Sequence, residues 1–316
     1  MCSSDLGFLF ALGSQPVPQD TQALLPSLLP FMQSNLIYIL GVTQIATIGY
    51  SLLAIRLRHR PHGIRRLGLR LPAPGHWVLV ALLMPPLWLL CNSLQSYMVR
   101  FFPQSGQQLD ELFSSLSTAS LPLLIAVVGV GPALGEELLF RGLIGRGLIA
   151  RGGFVVGITV TSALFGLMHV NPAQAVGVIP LGIAMHYVYL TTRSFWAPVT
   201  FHFCNNALSV ILLKHGDVVE LQSGMQAGIP WHAMTIASAM ILAVVILLWQ
   251  TRVRYVLPDG SIWDPGFASS AVPPIELGAR AERQSPRQIL LLGGAVNSLG
   301  FLIVLWQLSR FAVEVW

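Results

Sequence analysis

From residue 35 onward the chain is dominated by long apolar runs separated by short polar segments. A run of about 20 apolar residues is what an α-helix needs to cross the hydrocarbon core of a bilayer. Eight such runs are predicted as spans, over residues 35–55, 76–98, 117–134, 154–170, 173–190, 195–213, 233–249 and 288–306. The third is expected to continue as helix past Leu134, because the sequence stays largely apolar to Ile149. The middle four are short and interrupted by Gly and Pro. Pro85 and Pro86 fall within the second run, where membrane helices tolerate proline if neighbours satisfy the freed carbonyls. Residues 101–115 read as an exposed loop with a candidate surface helix. Residues 255–287 form the longest polar stretch, with turn signals at Pro258-Asp259-Gly260 and Pro273-Pro274. The predicted fold is therefore all-α, a polytopic transmembrane helical bundle of about eight spans. It divides into an exposed lead-in (1–34), N-terminal helices (35–116), a central core (117–214) and C-terminal helices with a polar loop (215–316).

Composition agrees. Of 316 residues, 54% are hydrophobic and 10% charged, whereas a soluble domain carries roughly 25% charged residues. A net charge of +5 in a soluble chain would suggest nucleic acid; here its distribution points elsewhere. With the N-terminus outside, 15 of the 18 Lys and Arg residues fall on inner segments, leaving Arg100, Lys214 and Arg310 outside. That is the positive-inside bias, and it predicts an N-out, C-out arrangement of bacterial inner-membrane type, with membrane lipid as a partner and no nucleic acid. The basic loop 56–74 lies where anionic headgroups gather. Cys2, Cys91 and Cys204 make no CxxC pair and no disulfide framework. Gly131-xxx-Gly135 and Gly153-xxx-Gly157 read as ordinary close helix packing.

Of 13 acidic residues, only Glu136 and Glu137 sit inside an apolar stretch. Acids at membrane depth are costly and mark candidate functional sites. Glu137 and Arg141 are four residues apart, share a helix face and can pair. Glu136 points about 100° away and lacks such a partner, so it is the candidate general base. Three histidines, His169, His186 and His202, fall in the middle spans. With a hairpin turn at Gly152-Gly153, Glu136 lies 16 residues before the turn and His169 lies 16 after it, which places them at equal depth. His202 and Asn206 share a face of the sixth span. His186 has no matched partner and reads as a packing residue.

The segments Glu136-Glu137-Leu138-Leu139-Phe140-Arg141, Phe165 to His169 and His202 to Asn206 resemble the EExxxR, FxxxH and HxxxN motifs of the CPBP family, which comprises type II CAAX prenyl proteases and bacteriocin-processing membrane proteases. The resemblance covers residues 121–213, about a third of the chain. It implies an active site within the membrane, with Glu136 and His169 activating water, His202 and Asn206 stabilising an oxyanion, and Glu137, Arg141 and Phe165 in support. It also implies a membrane-associated or prenylated protein or peptide as substrate and no required cofactor. A zinc-dependent reading of the same Glu and His residues stays open, although no HExxH occurs. A cysteine protease built on Cys204 and His202 is disfavoured, since an i,i+2 pair points to different helix faces. The non-enzymatic alternatives are a proton-coupled transporter and a pseudo-enzyme scaffold.

Overall fold

The computed structural model describes residues 30–58, 63–215, 230–264, 266 and 270–282. Six helices in this part are long and apolar enough to cross a membrane. They are α1 (Leu36–Arg58), α2 (Pro74–Val99), α4 (Leu121–Leu167), α5 (Pro172–Thr192), α6 (Trp196–His215) and α7 (Trp231–Gln250). Between α2 and α4 lies α3 (Pro103–Ser117), the expected surface helix, amphipathic and not apolar throughout. The all-α, polytopic membrane architecture is thus present. The third and fourth expected spans are the two arms of α4, and the expected span at 288–306 lies outside the described residues.

Local chemistry sets the breaks. α4 folds back at Gly153, whose φ of 81° and ψ of −179° are non-helical. Only glycine adopts that backbone readily. Beyond the bend, a Cβ on Gly157 would fall 2.9 Å from the backbone of Ile149, so the two arms touch because position 157 carries no side chain. α5 starts with Pro172 at its first turn and Asn171 as N-cap, whose side chain accepts from the Gln174 N–H at 3.0 Å. α2 runs unbroken through Pro85 and Pro86. Two segments of α4, Ile125–Val130 and Glu137–Ile144, are π-helical and flank Glu136. Such wide turns are frequent at functional positions.

The outer surfaces of the helices are apolar. On α1, Val42 is 68% exposed and Ile45 73%, as lipid contact requires. Inside, Leu83, Phe140, Phe165, Met185, Phe201 and Leu248 form the main buried cluster, joining α2, α4, α5, α6 and α7. α1 packs against the first arm of α4. A Cβ on Gly131 would meet Gln44 at 2.9 Å and one on Gly135 would meet Ile48 at 3.3 Å, so this small-residue pair serves close packing as expected.

The loops sort into two groups. At one end the arginine-bearing segments meet. Phe195 N–H donates to Gly68 O at 2.9 Å, Ala271 N–H to Arg66 O at 3.1 Å, and Val253 N–H to Thr191 O at 2.8 Å. A two-stranded antiparallel ladder, β1 (Tyr255–Val256) with β2 (Arg280–Ala281), closes this end. Among the other loops, the Asn171 side-chain amide donates to Ser105 O at 3.0 Å and Lys214 donates to Ser117 O at 2.6 Å. The described part of the long polar stretch is thus in part an ordered cap over the helix ends.

Candidate active site

Glu136 ends the α-helical turn between the two π segments of α4, and Glu137 begins the second of them. Both are buried, Glu136 at 8% exposure and Glu137 at 0%. They point apart, as consecutive helical residues must, but His202 of α6 reaches both. Its Nδ1 lies 2.9 Å from Glu137 Oε1, and its Nε2 lies 3.8 Å from Glu136 Oε2. Glu137 Oε1 also accepts from Arg141 Nη1 at 2.8 Å. A carboxylate that pairs with a guanidinium is ionised and can only accept, so His202 Nδ1 carries a hydrogen and donates. Nε2 is then the nitrogen turned toward Glu136.

Arg141 is wholly buried. Its Nη2 donates to Gly182 O of α5 at 2.8 Å, and its guanidinium stands 5.1 Å from the Phe165 ring centre. Phe165 is the hub of an aromatic cluster. Edge-to-face contacts join it to Phe140 (5.4 Å), His169 (5.1 Å) and His202 (5.9 Å). It therefore separates and orients the two imidazoles. His169 lies just past the end of α4, with Nδ1 2.9 Å from Phe165 O. If Nδ1 donates to that carbonyl, Nε2 is left as the acceptor. Val170, next in sequence, has a φ of 61°, unusual for a β-branched residue, and this reversal turns the chain from His169 into the Asn171 cap.

Asn206 sits one turn beyond His202. Its Nδ2 donates to Val128 O at 2.9 Å, inside the first π segment, and its Oδ1 accepts from Asn205 at 3.1 Å. An amide nitrogen has two hydrogens, so one donor remains. The structure thus brings Glu136, Glu137, Arg141 and His202 into direct polar contact and ties His169 to them through Phe165. Asn206 is held by separate bonds to backbone and to Asn205. Glu136 Oε2 is buried with no hydrogen-bond partner among the described residues, which leaves it available to a water or a substrate group. His186 is buried against Gly145, where a Cβ would collide with its ring, and neither ring nitrogen has a hydrogen-bond partner among the described residues.

Sequence reasoning missed the bond between His202 and Glu137. The i,i+4 rule assigned Glu137 mainly to Arg141, and nothing in one sequence says that a helix 65 residues away turns an imidazole onto the same carboxylate. Among the described residues, no three His, Cys, Asp or Glu side chains are grouped as metal ligands. Glu137, already engaged by Arg141 and His202, is not available as a ligand.

Residues 118–208 match the family model of Rce1-like type II CAAX prenyl endopeptidases. All three motifs lie inside this stretch. This part of the chain is similar to that family. A protein of Bacillus subtilis (strain 168) named "Putative membrane peptidase YdiL" is 30% identical over 94 residues, which cover 29% of this chain and 38% of that protein. The chain thus aligns with little more than a third of its curated relative. No solved structure matches. The matched stretch covers both arms of α4 with its bend, α5 and most of α6, and so contains each residue described above.

Proposed function

We propose that the protein is an intramembrane endopeptidase that hydrolyses a peptide bond of a membrane-associated or lipidated protein or peptide, using glutamate-activated water. The observation that carries this reading is the pair of acids flanking one buried imidazole, with Glu136 and Glu137 at 3.8 Å and 2.9 Å from His202, inside an apolar helical bundle.

In this mechanism Glu136 takes a proton from water, assisted by His169, as the oxygen attacks the scissile carbonyl carbon. The carbonyl π electrons move onto its oxygen. His202 Nε2–H and the remaining Asn206 N–H donate to that oxyanion, each such donor contributing about 3 kcal/mol in a dry site. Donation from Nε2 requires a ring protonated on both nitrogens, and Glu137 supplies the counter-charge. As the intermediate collapses, the C–N bond breaks and Glu136 returns its proton to the leaving nitrogen. Arg141 fixes Glu137 and thereby His202. The proposed setting is the bacterial inner membrane, with residues 117–214 as the catalytic core.

The test is Glu136→Gln in the purified full chain, assayed in proteoliposomes on a library of lipidated and unlipidated peptides, with and without a chelator. Loss of cleavage by about 10³-fold or more in a folded protein, together with chelator-insensitive wild-type activity, is expected. A Glu136→Gln protein that cleaves at the wild-type rate refutes the assignment. Chelator-sensitive cleavage would favour the metal-dependent alternative.

A further inference from the structure

A cavity of about 630 Å³ opens at the arginine-rich end of the bundle, between the bend of α4, the ends of α5 and α7, and the polar loop that follows α7. Its volume lies within the roughly 300–1,000 Å³ typical of small-molecule sites. It is separate from the glutamate cluster. Arg146, which lines it, follows Glu136 by ten residues on α4, roughly 15 Å along the helix.

Its lining is strongly unbalanced in charge. Arg146, Arg193, Arg252 and Arg254 face one acid, Asp264. Aromatic rings and a carbonyl help to orient two of these guanidiniums. Arg193 lies over the Trp263 ring at 5.7 Å; Arg252 lies over Trp249 at 4.2 Å and donates to Trp249 O at 2.7 Å. Rings and carbonyls hold a guanidinium in place without cancelling its charge. Asp264 is itself occupied by the Gly266 N–H at 3.2 Å. Burial draws the pKa of Arg193 below its ordinary value, only partly offset by Tyr255, Tyr189 and Asp264. The helix-end carbonyls that would repel an anion are already engaged. Thr191 O accepts from Val253 N–H and Leu247 O from Thr251 N–H, while Thr192 O accepts from Arg70. The rim is apolar, with Phe154 38% exposed and Trp249 50% exposed, so it continues onto the lipid-facing surface.

We propose that this cavity binds a phosphate group, presented by the headgroup of an anionic membrane lipid and held chiefly by Arg193, Arg252 and Arg254. Basic pockets between membrane helices at the positively charged side have the shape and charge for such headgroups. The apolar rim distinguishes this site from a plain phosphate pocket, since it gives the acyl chains a surface to follow.

The experiment is native mass spectrometry of the full chain, titrated separately with phosphatidylglycerol, phosphatidylcholine, inorganic phosphate and glycerol 3-phosphate. Phosphatidylglycerol should bind at least ten-fold more tightly than phosphatidylcholine. Arg252→Gln with Arg254→Gln should weaken phosphatidylglycerol about thirty-fold, about five-fold for each arginine. Arg280→Gln, an exposed arginine outside the cavity, should change it less than two-fold. Ile262→Trp alters no charge and places bulk in the lining; it should also weaken phosphatidylglycerol, and it tests the cavity independently should the double variant fail to fold. Binding of inorganic phosphate or glycerol 3-phosphate as tightly as the lipid would assign the site to a free phosphate compound and overturn the lipid source. Unchanged phosphatidylglycerol binding by either cavity variant, or equal loss with Arg280→Gln, would refute the site.

Discussion

The buried pair of Glu137 and Arg141 makes a quantitative prediction. Both side chains are 0% exposed and their charged atoms are 2.8 Å apart. Replacing one member leaves the other as an uncompensated buried charge, which costs about 3–5 kcal/mol where nothing else compensates. Here compensation exists. In Glu137→Gln, Arg141 keeps Gly182 O at 2.8 Å and the Phe165 ring at 5.1 Å, contacts worth about 1–2 kcal/mol together. The net loss should be about 2–3 kcal/mol. In Arg141→Gln, Glu137 keeps the His202 N–H at 2.9 Å, and a similar loss is expected. The double variant removes both charges at once, so its loss should fall short of the summed single losses by about 2 kcal/mol, within the range seen for residues in contact. Equilibrium unfolding in mixed micelles with increasing SDS, followed by helix content, measures all four proteins. Additivity within about 0.5 kcal/mol would show that the two charges do not stabilise one another and would refute the account of Glu137.

Asn206→Ala should lower kcat by about 10²-fold or more through loss of one oxyanion donor, whereas Asn205→Ala, whose amide donates to the Asn206 side chain, should cost less than about ten-fold; equal effects would refute the assignment of Asn206. Leu277→Cys, introduced at an exposed loop position in a cysteine-free background, should react with an impermeant maleimide only from the inner side of membrane vesicles, and labelling from outside would reverse the proposed orientation.

The sequence by itself determined the membrane architecture. A helix in lipid must satisfy every backbone group internally and present apolar side chains outward, so each span is written locally, in about 20 consecutive residues, and is legible without any partner. The bend at Gly153 was legible for a similarly local reason, because special backbone angles select glycine. The pairing of Glu137 with Arg141 was equally local, being set by i,i+4 spacing on one helix.

The contacts that join the site across helices were decided only by the tertiary structure. His202 contacts both acids because α6 packs against the first arm of α4, and the two π segments around Glu136 alter the helical phase there, a change that constant 3.6-residue periodicity does not foresee. Likewise, four arginines spread over residues 146–254 become one cavity lining only when the ends of α4, α5 and α7 meet. One sequence lists which charges a chain carries and on which face of each helix they lie. Which faces meet depends on packing between helices distant in sequence, and that non-local term decided where this protein concentrates its buried charge.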